Sequence, residues 1–224
     1  MGRDNQPKNR QLPRKAAREG RRASYPRILI VTEGSKTEPL YLEEIRAAHQ
    51  LHSANVEVQP GQLGTAPIQV VRYAQQLFEE GDLYKGIRPK SFDQVYAVFD
   101  RDEHDSYFNA LNLAKSLDGN QRNDDRQPVS FKAIASIPSF KLWLLMHYED
   151  IQAPIHRDEV MTRLQRHVPG YEKGARGAFA TTRDRLKTAT QRAQTLAAKF
   201  NAYSAPEPFT ALHELVTLLT TMRA

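Results

Sequence analysis

Three acidic residues directly follow apolar runs and have the type and spacing of metal ligands. Glu33 comes after the run at 28–32, and Asp100 and Asp102 stand two positions apart at the end of a second run at 92–99. If the backbone stays extended there, both aspartates project from the same face of the strand. Carboxylates that meet repel one another unless a cation lies between them or their pKa values rise. Mg²⁺, or Mn²⁺ in its place, is the natural cation, and it suits phosphodiester cleavage or transfer.

Other interpretations of these acidic residues stay open. The acidic stretch at 100–105 could be a polar turn that ends in an N-cap for a helix at Ser106. Ser35 and Glu38 have the spacing of a capping box, which favours a structural role for Glu38. Glu33 could be a metal ligand or a general base. The stretch after Glu33 lacks the earlier glycine and the Gly-Lys pair of a Walker phosphate loop, which argues against ATP hydrolysis.

The elements that must position these acids alternate between strands and helices. The predicted strands are 27–32, 55–59, 92–99 and 130–135, and the predicted helices are 37–50, 66–80, 106–117 and 140–148. Such alternation favours a doubly wound α/β fold with a mainly parallel, four-stranded sheet flanked by helices. Ligands of such sheets bind at the carboxyl ends of the strands, commonly between the first and third. We therefore expect Glu33 to meet Asp100 and Asp102.

After residue 150 the pattern changes to helices alone. The predicted helices there are 157–168, 182–200 and 209–222. The chain is therefore predicted to divide into an α/β core at 25–150 and a helical C-terminal part at 151–224 that packs on the core.

The net charge of +6 comes from the N-terminal residues. Residues 1–22 contain eight basic and two acidic residues, whereas the rest of the chain balances 24 basic against 24 acidic residues. This composition predicts a disordered basic arm at 1–24. Such an arm favours contact with nucleic acid, although it could serve only to keep the protein in solution.

Composition also argues against several classes of protein. The chain has no cysteine, which excludes a disulfide framework and thiolate metal sites. No stretch approaches the roughly 18 consecutive apolar residues of a membrane helix, and the charged N-terminus does not fit a signal peptide. We therefore expect a soluble, cytoplasmic protein that has no membrane partner.

Four segments together resemble the RloB-like proteins, which are related to abortive-infection proteins of the AbiL type. The segments are ILIVTEGSKTEPLYL at 28–42, VYAVFDRDEH at 95–104, AIASIPSFKLWLLMHY at 133–148 and PFTALHELVTLL at 208–219. The resemblance spans nearly everything from residue 27 to residue 219. It implies a Toprim-like fold, the metal-binding domain of topoisomerases, primases and OLD-type nucleases. It also implies a bacterial, cytoplasmic role in defence against phage, often beside a partner ATPase encoded in the same locus.

The resemblance maps the Toprim glutamate onto Glu33 and the Toprim Asp-x-Asp onto Asp100 and Asp102. The chain departs from the family where a Ser-Asn-Pro-x-Phe-Glu-x-Trp segment is usual, because Ile137 replaces the asparagine and Lys141 replaces the glutamate. Lys141 could hold a substrate phosphate, pair with an aspartate, or mark a weakened or inactive enzyme. These alternatives stay open.

A basic stretch beside a glycine-rich break could contact a phosphate backbone. Residues 157–187 carry eight basic and four acidic side chains, and Lys173 and Arg176 flank the glycine-rich segment. We select these two residues and Lys36 as candidate nucleic-acid contacts, although solvated helix faces would give the same pattern. No histidine is selected as a metal ligand.

The leading hypothesis is a Mg²⁺-dependent or Mn²⁺-dependent nuclease of DNA or RNA in antiphage defence. Its catalytic candidates are Glu33, Asp100, Asp102 and Lys141, of which the three acids would hold the metal. The alternative, motivated by Lys141 and Ile137, is a catalytically degenerate subunit that binds nucleic acid or acts as a sensor and regulates a partner ATPase. A third alternative is that the acidic cluster is purely structural.

Overall fold

A mostly parallel β-sheet forms the centre of the protein. The computed structural model describes residues 25–53, 55–102 and 104–222 of the 224-residue chain, so the predicted arm at 1–24 lies outside it. The strands are β1 (Ile28–Thr32), β2 (Val56–Pro60), β3 (Gln94–Asp100), β4 (Gln121–Arg122), β5 (Pro128–Ile137) and β6 (Phe209–Thr210).

Four of these strands run parallel in the order β2-β1-β3-β5. The short strands β4 and β6 pair antiparallel with the beginning and the end of β5. The predicted α/β class and parallel sheet are confirmed, and the arrangement is consistent with a Toprim-like fold. The strands β4 and β6 are not predicted from the sequence, because a strand of two residues has no alternation of apolar and polar positions.

Helices flank this sheet and complete the core. They are α1 (Thr37–Ala48), α2 (Pro67–Glu80), α3 (Tyr107–Leu117), α4 (Lys141–Leu145), α5 (Arg157–His167), α6 (Ala178–Thr182), α7 (Leu186–Ala197) and α8 (Leu212–Thr221). Helices α2 and α3 pack on each other and on the sheet, whereas α1 packs on α8. All five residues of β1 are buried, as expected for a central parallel strand. No helix in the described ranges is long and apolar enough to cross a membrane.

Two of the predicted helix boundaries are wrong for identifiable reasons. Helix α4 ends at Leu145 rather than at residue 148, because the chain stays buried beyond the helix and apolar character gives no end signal. The predicted helix 182–200 is instead α6, a 3₁₀ turn at Arg183–Arg185, and α7. Helix α6 begins early because the Glu44 carboxylate accepts hydrogen bonds from the backbone N–H groups of Gly177 and Phe179. A cap supplied from so far along the chain leaves no local signal.

The C-terminal elements are attached to the α/β core through several contacts. Helix α5 packs on α4, and β6 hydrogen-bonds to β5 at Ser136 and Ile137. The predicted helix 209–222 therefore begins as a strand, and its helical part is α8. The division of the chain near residue 150 stays a prediction.

A buried hydrogen bond between α1 and α4 gives a test of this packing. The Trp143 indole N–H donates to the Tyr41 hydroxyl at 2.9 Å, and both side chains are fully buried. We expect Tyr41→Phe to lower the free energy of unfolding by about 1–3 kcal/mol, because the indole N–H loses its partner. Denaturant unfolding measures the change. Tyr84→Phe is the matched control, since Tyr84 is fully exposed, and equal losses in both variants would contradict the assignment.

Candidate metal centre

Glu33 lies at the carboxyl edge of the sheet, between β1 and β3. Its backbone N–H donates to the Val98 carbonyl at 2.8 Å and so continues the pairing of the two strands. Its side-chain Oε2 accepts a hydrogen bond from the Asp100 N–H at 2.9 Å. The structure therefore brings Glu33 and Asp100 together where the order of the strands reverses, which is the usual ligand position in such sheets.

Asp100 ends β3 and faces the beginning of α4. Its Oδ1 accepts a hydrogen bond from the Phe140 N–H at 2.7 Å. Burial raises the pKa of Asp100 well above its ordinary value, and the nearby carboxylates of Glu38, Glu33 and Asp102 raise it further. The hydrogen bond from Phe140 offsets only part of that cost. Asp100 is thus a carboxyl group whose negative charge is poorly compensated by the protein alone.

Glu38 is a fourth carboxylate of this cluster. Its spacing from Ser35 predicts a capping box. That prediction is wrong, because α1 has Lys36 as its N-cap and no side chain caps it. The Glu38 carboxylate is buried, and its Oε2 has no hydrogen-bond partner among the described residues. A Cβ atom on Gly34 would clash with this carboxylate. Gly34 therefore leaves the space that Glu38 occupies.

Asp102 does not continue the strand. Its φ of 33° turns the backbone, so the prediction that Asp100 and Asp102 project from one extended strand is wrong. The Asp102 Oδ1 instead lies 3.0 Å from the Arg157 Nη1 at the beginning of α5. The turn is held by Arg101, whose Nη1 donates to the Asp102 carbonyl at 2.9 Å.

The turn also brings in a further candidate ligand, His104, which the sequence does not predict. Glu33, Asp102 and His104 each offer one ligand atom, and these atoms lie within 4.8 Å of one another. All three side chains are partly buried. Asp100 is not in this set of three, although its charge acts on the same site. The only sequence signal for His104 was its place just after the Asp-x-Asp motif.

The electrostatics of the site favour a bound cation. Burial raises the pKa of Glu33 to about 7, and the neighbouring Asp102 and Glu38 contribute to the rise. Burial likewise raises the pKa of Glu38. Ionised carboxylates in so small a volume are stable only with protons or positive charge between them. Carboxylate and imidazole groups at this spacing could hold a metal ion.

Lysines from three parts of the chain surround these carboxylates. Lys36 and Lys173 line a cavity of about 490 Å³ together with Glu33 and Glu38. The charge of Lys173 lowers the pKa of both glutamates. Lys141, the first residue of α4, also lowers the pKa of Glu38. Lys173 and Lys141 therefore each compensate part of the negative charge.

Lys141 and Arg176 differ from the other candidate residues in the contacts that they make. Within the described ranges Lys141 makes no ion pair within 4.0 Å, so its predicted pairing with an aspartate is not seen. Arg176 is exposed and lines a separate cavity of about 140 Å³ beside Leu144 and Leu164. It does not join the cavity of Lys36 and Lys173.

The fold and the site define an α/β protein with an acidic group, at the carboxyl edge of its sheet, that could hold a metal ion. The family model described as RloB-like protein matches residues 28–219. The chain therefore belongs to the RloB-like family. No curated protein and no solved structure matches it.

The raised pKa of Glu33 predicts how pH changes stability. Between about pH 4.5 and about pH 7 the folded state binds more protons at Glu33 than the unfolded state, so stability falls as pH rises through this window. A metal ion competes with those protons. We expect Mg²⁺ or Mn²⁺ to raise the melting temperature more at about pH 8 than at about pH 6, relative to EDTA.

Glu33→Gln should reduce both the pH dependence and the metal effect. Glu80→Gln is the matched control, because Glu80 is exposed on α2 and far along the chain from the site. Melting curves read by intrinsic fluorescence measure both. Identical responses of the two variants would show that Glu33 does not hold the ion.

Proposed function

We propose that the protein is a metal-dependent nuclease that hydrolyses phosphodiester bonds of DNA or RNA in a bacterial antiphage defence system. The observation that supports it most is the meeting of Glu33, Glu38, Asp100 and Asp102 at one edge of the sheet, with buried and poorly compensated charge. The defence role, the cytoplasmic location and an ATPase partner rest on the family resemblance. Nucleic acid is the partner that the surrounding lysines favour.

The residues present fit a resident Mg²⁺ or Mn²⁺ ion. Glu33, Asp102 and His104 would hold it, and the unpartnered buried oxygen of Glu38 marks a further position for positive charge. When bound, such an ion stabilises negative charge on the phosphate oxygens and lowers the pKa of water. Ligand oxygens from carboxylates are those that Mg²⁺ and Mn²⁺ prefer.

The chain's own residues account for positioning. The Glu33 Oε2 accepts the Asp100 N–H at 2.9 Å, which fixes the carboxylate at the edge of the sheet where it would hold the ion. Lys36 and Lys173 line the cavity beside Glu33 and Glu38, which supports a role for them in contacting the phosphates next to the cut. Asp100 holds the beginning of α4 through Phe140 and so fixes the distance between the sheet and Lys141. These roles leave Asp100 as a positioning residue rather than a ligand.

Acid-to-amide substitutions test the nuclease. We expect Asp102→Asn to abolish cation-dependent cleavage of labelled single-stranded and double-stranded DNA and RNA. Asp100→Asn keeps an oxygen for the Phe140 N–H and should retain most of the rate, whereas Asp100→Ala removes that oxygen and should lower the rate by roughly 10- to 100-fold. Asp184→Asn, on a side chain that is 91% exposed, is the matched control. Full cleavage by Asp102→Asn would overturn the assignment.

Gly34 allows a second test, because it acts through Glu38. Gly34→Ala should displace the Glu38 carboxylate and lower cleavage as much as Glu38→Gln does. The double variant should then be no worse than either single one, since both changes remove the same group. Rates of all three variants and the wild type measure this coupling. Additive losses would mean that Gly34 has a separate role.

Lys141 favours a second candidate, a degenerate subunit that binds nucleic acid and regulates an ATPase. Its positive charge acts on Glu38. The resemblance implies a glutamate, and therefore a negative charge, at position 141. In a working site Lys141→Met should lower cleavage and Lys141→Arg should retain most of it. In a degenerate site the wild type should not cut, and Lys141→Glu with Ile137→Asn should create cleavage. These two patterns of rates exclude each other.

A further inference from the structure

A second cavity adjoins the candidate metal centre, and of the four catalytic candidates only Asp102 lines it. It has a volume of about 520 Å³ and lies beyond the turn at Asp102. Asp102 lines both this cavity and a neighbouring one of about 500 Å³ that contains His104. A group bound in the larger cavity therefore sits next to whatever the metal centre holds.

The walls of this cavity are largely apolar and rigid. They come from parts of the chain far apart in sequence, and include Ile137, Pro138, Ile155, Pro206 and the ring of Phe108. Phe108 keeps 39% of its surface exposed, unusually much for a large apolar side chain beside a core. Prolines and buried aliphatic side chains offer flat surface at a low cost in conformational entropy. Such walls suit a flat, weakly polar ring.

One side of the cavity carries a fixed cation. The Arg101 guanidinium lies 5.2 Å from the centroid of the Tyr107 ring and 5.5 Å from that of Phe108. Its Nη1 donates to the Asp102 carbonyl, whereas its buried Nε has no acceptor among the described residues. A buried donor without a partner is unfavourable unless a ligand supplies an acceptor. Arg101 therefore offers a donor and a flat charged surface.

Arg157 brings positive charge to the place where the cavity meets the metal centre. It lines both this cavity and the neighbouring one, and it lies 3.0 Å from Asp102. The apolar cavity, this guanidinium and the carboxylates beyond it follow one another in the order in which a bound nucleotide would place its base, its phosphate and the metal that acts on that phosphate.

We propose that this cavity binds the base of an unpaired nucleotide next to the bond that is cut. The proposal rests on the proposed nuclease function and names its substrate class, a single strand or an unpaired loop. A base inside a duplex is covered by its neighbours and cannot enter this cavity without leaving the stack. Ile137, which is buried, contributes an apolar side chain to the wall.

Base removal gives the direct test. A short labelled single strand, as DNA and as RNA, is compared with a strand of equal length in which every base is absent, so that all phosphates remain. Binding is measured by fluorescence anisotropy with the full chain in EDTA. We expect the intact strand to bind roughly 5- to 100-fold more tightly than the abasic strand, in at least one of the two forms. The same strand in a duplex should lose this advantage.

Phe108→Ala should bring the affinity for the intact strand close to that for the abasic strand. Tyr84→Ala is the matched control, because it also removes an exposed aromatic ring but lies at Leu83–Lys85, away from the cavity. Equal binding of intact and abasic strands, equal binding of single strand and duplex, or a ratio unchanged by Phe108→Ala would each overturn the proposal.

The base-binding proposal and the nuclease proposal can be overturned independently of each other. Because binding is measured without metal, a base preference that Phe108→Ala abolishes supports the cavity even if no cleavage is found. Cation-dependent cleavage with no base preference supports the nuclease and removes the cavity from it.

Discussion

Repulsion among buried carboxylates is the constraint on which the rest of this structure depends. A parallel sheet ends its strands at one edge, so acids that follow β1 and β3 are held together by the register that pairs Thr32 with Val98. The hydrogen bond from the Asp100 N–H to Glu33 holds the two residues together, and it lowers the pKa of Glu33 and so offsets part of this cost. Protons, cationic side chains or a metal ion can reduce this repulsion. The raised pKa values of Glu33 and Asp100 mean that both carboxyl groups hold a proton more tightly than usual.

Elements after residue 150 bring positive charge to the site. The α/β core supplies the carboxylates, whereas Arg157 and Lys173 come from the C-terminal elements. The loop that carries Lys173 is attached to α1, because the Gly174 N–H donates to the Thr37 hydroxyl at 3.0 Å and Glu44 caps α6. The positive charges of Arg157 and Lys173 therefore reach the carboxylates only when the C-terminal helices are docked, whereas that of Lys141 comes from the core itself. Folding of that part and stability of the acidic site are coupled through this charge balance.

Much of the fold, and less of the site, follows from local sequence. The buried run of β1 and the alternation of strands and helices predict the parallel sheet, and the sheet in turn predicts that Glu33 approaches Asp100. The turn at Asp102 depends on Arg101 and on contacts made elsewhere, so an extended backbone was the wrong expectation. Glu38 has capping-box spacing, but burial beside Gly34 decides its role instead. Neither effect leaves a periodic signal, because both arise from tertiary packing.

The junction between β5 and α4 shows how two neighbouring side chains act on one site in different ways. Ile137 ends β5 and lines the apolar cavity, whereas Lys141 begins α4 and acts on Glu38. The Phe140 N–H between them holds Asp100 in place through a backbone donor, so this contact does not require a particular side chain at Ile137 or Lys141. These two side chains instead set the chemistry offered to a ligand, because Ile137 makes the wall apolar and Lys141 adds positive charge that acts on Glu38.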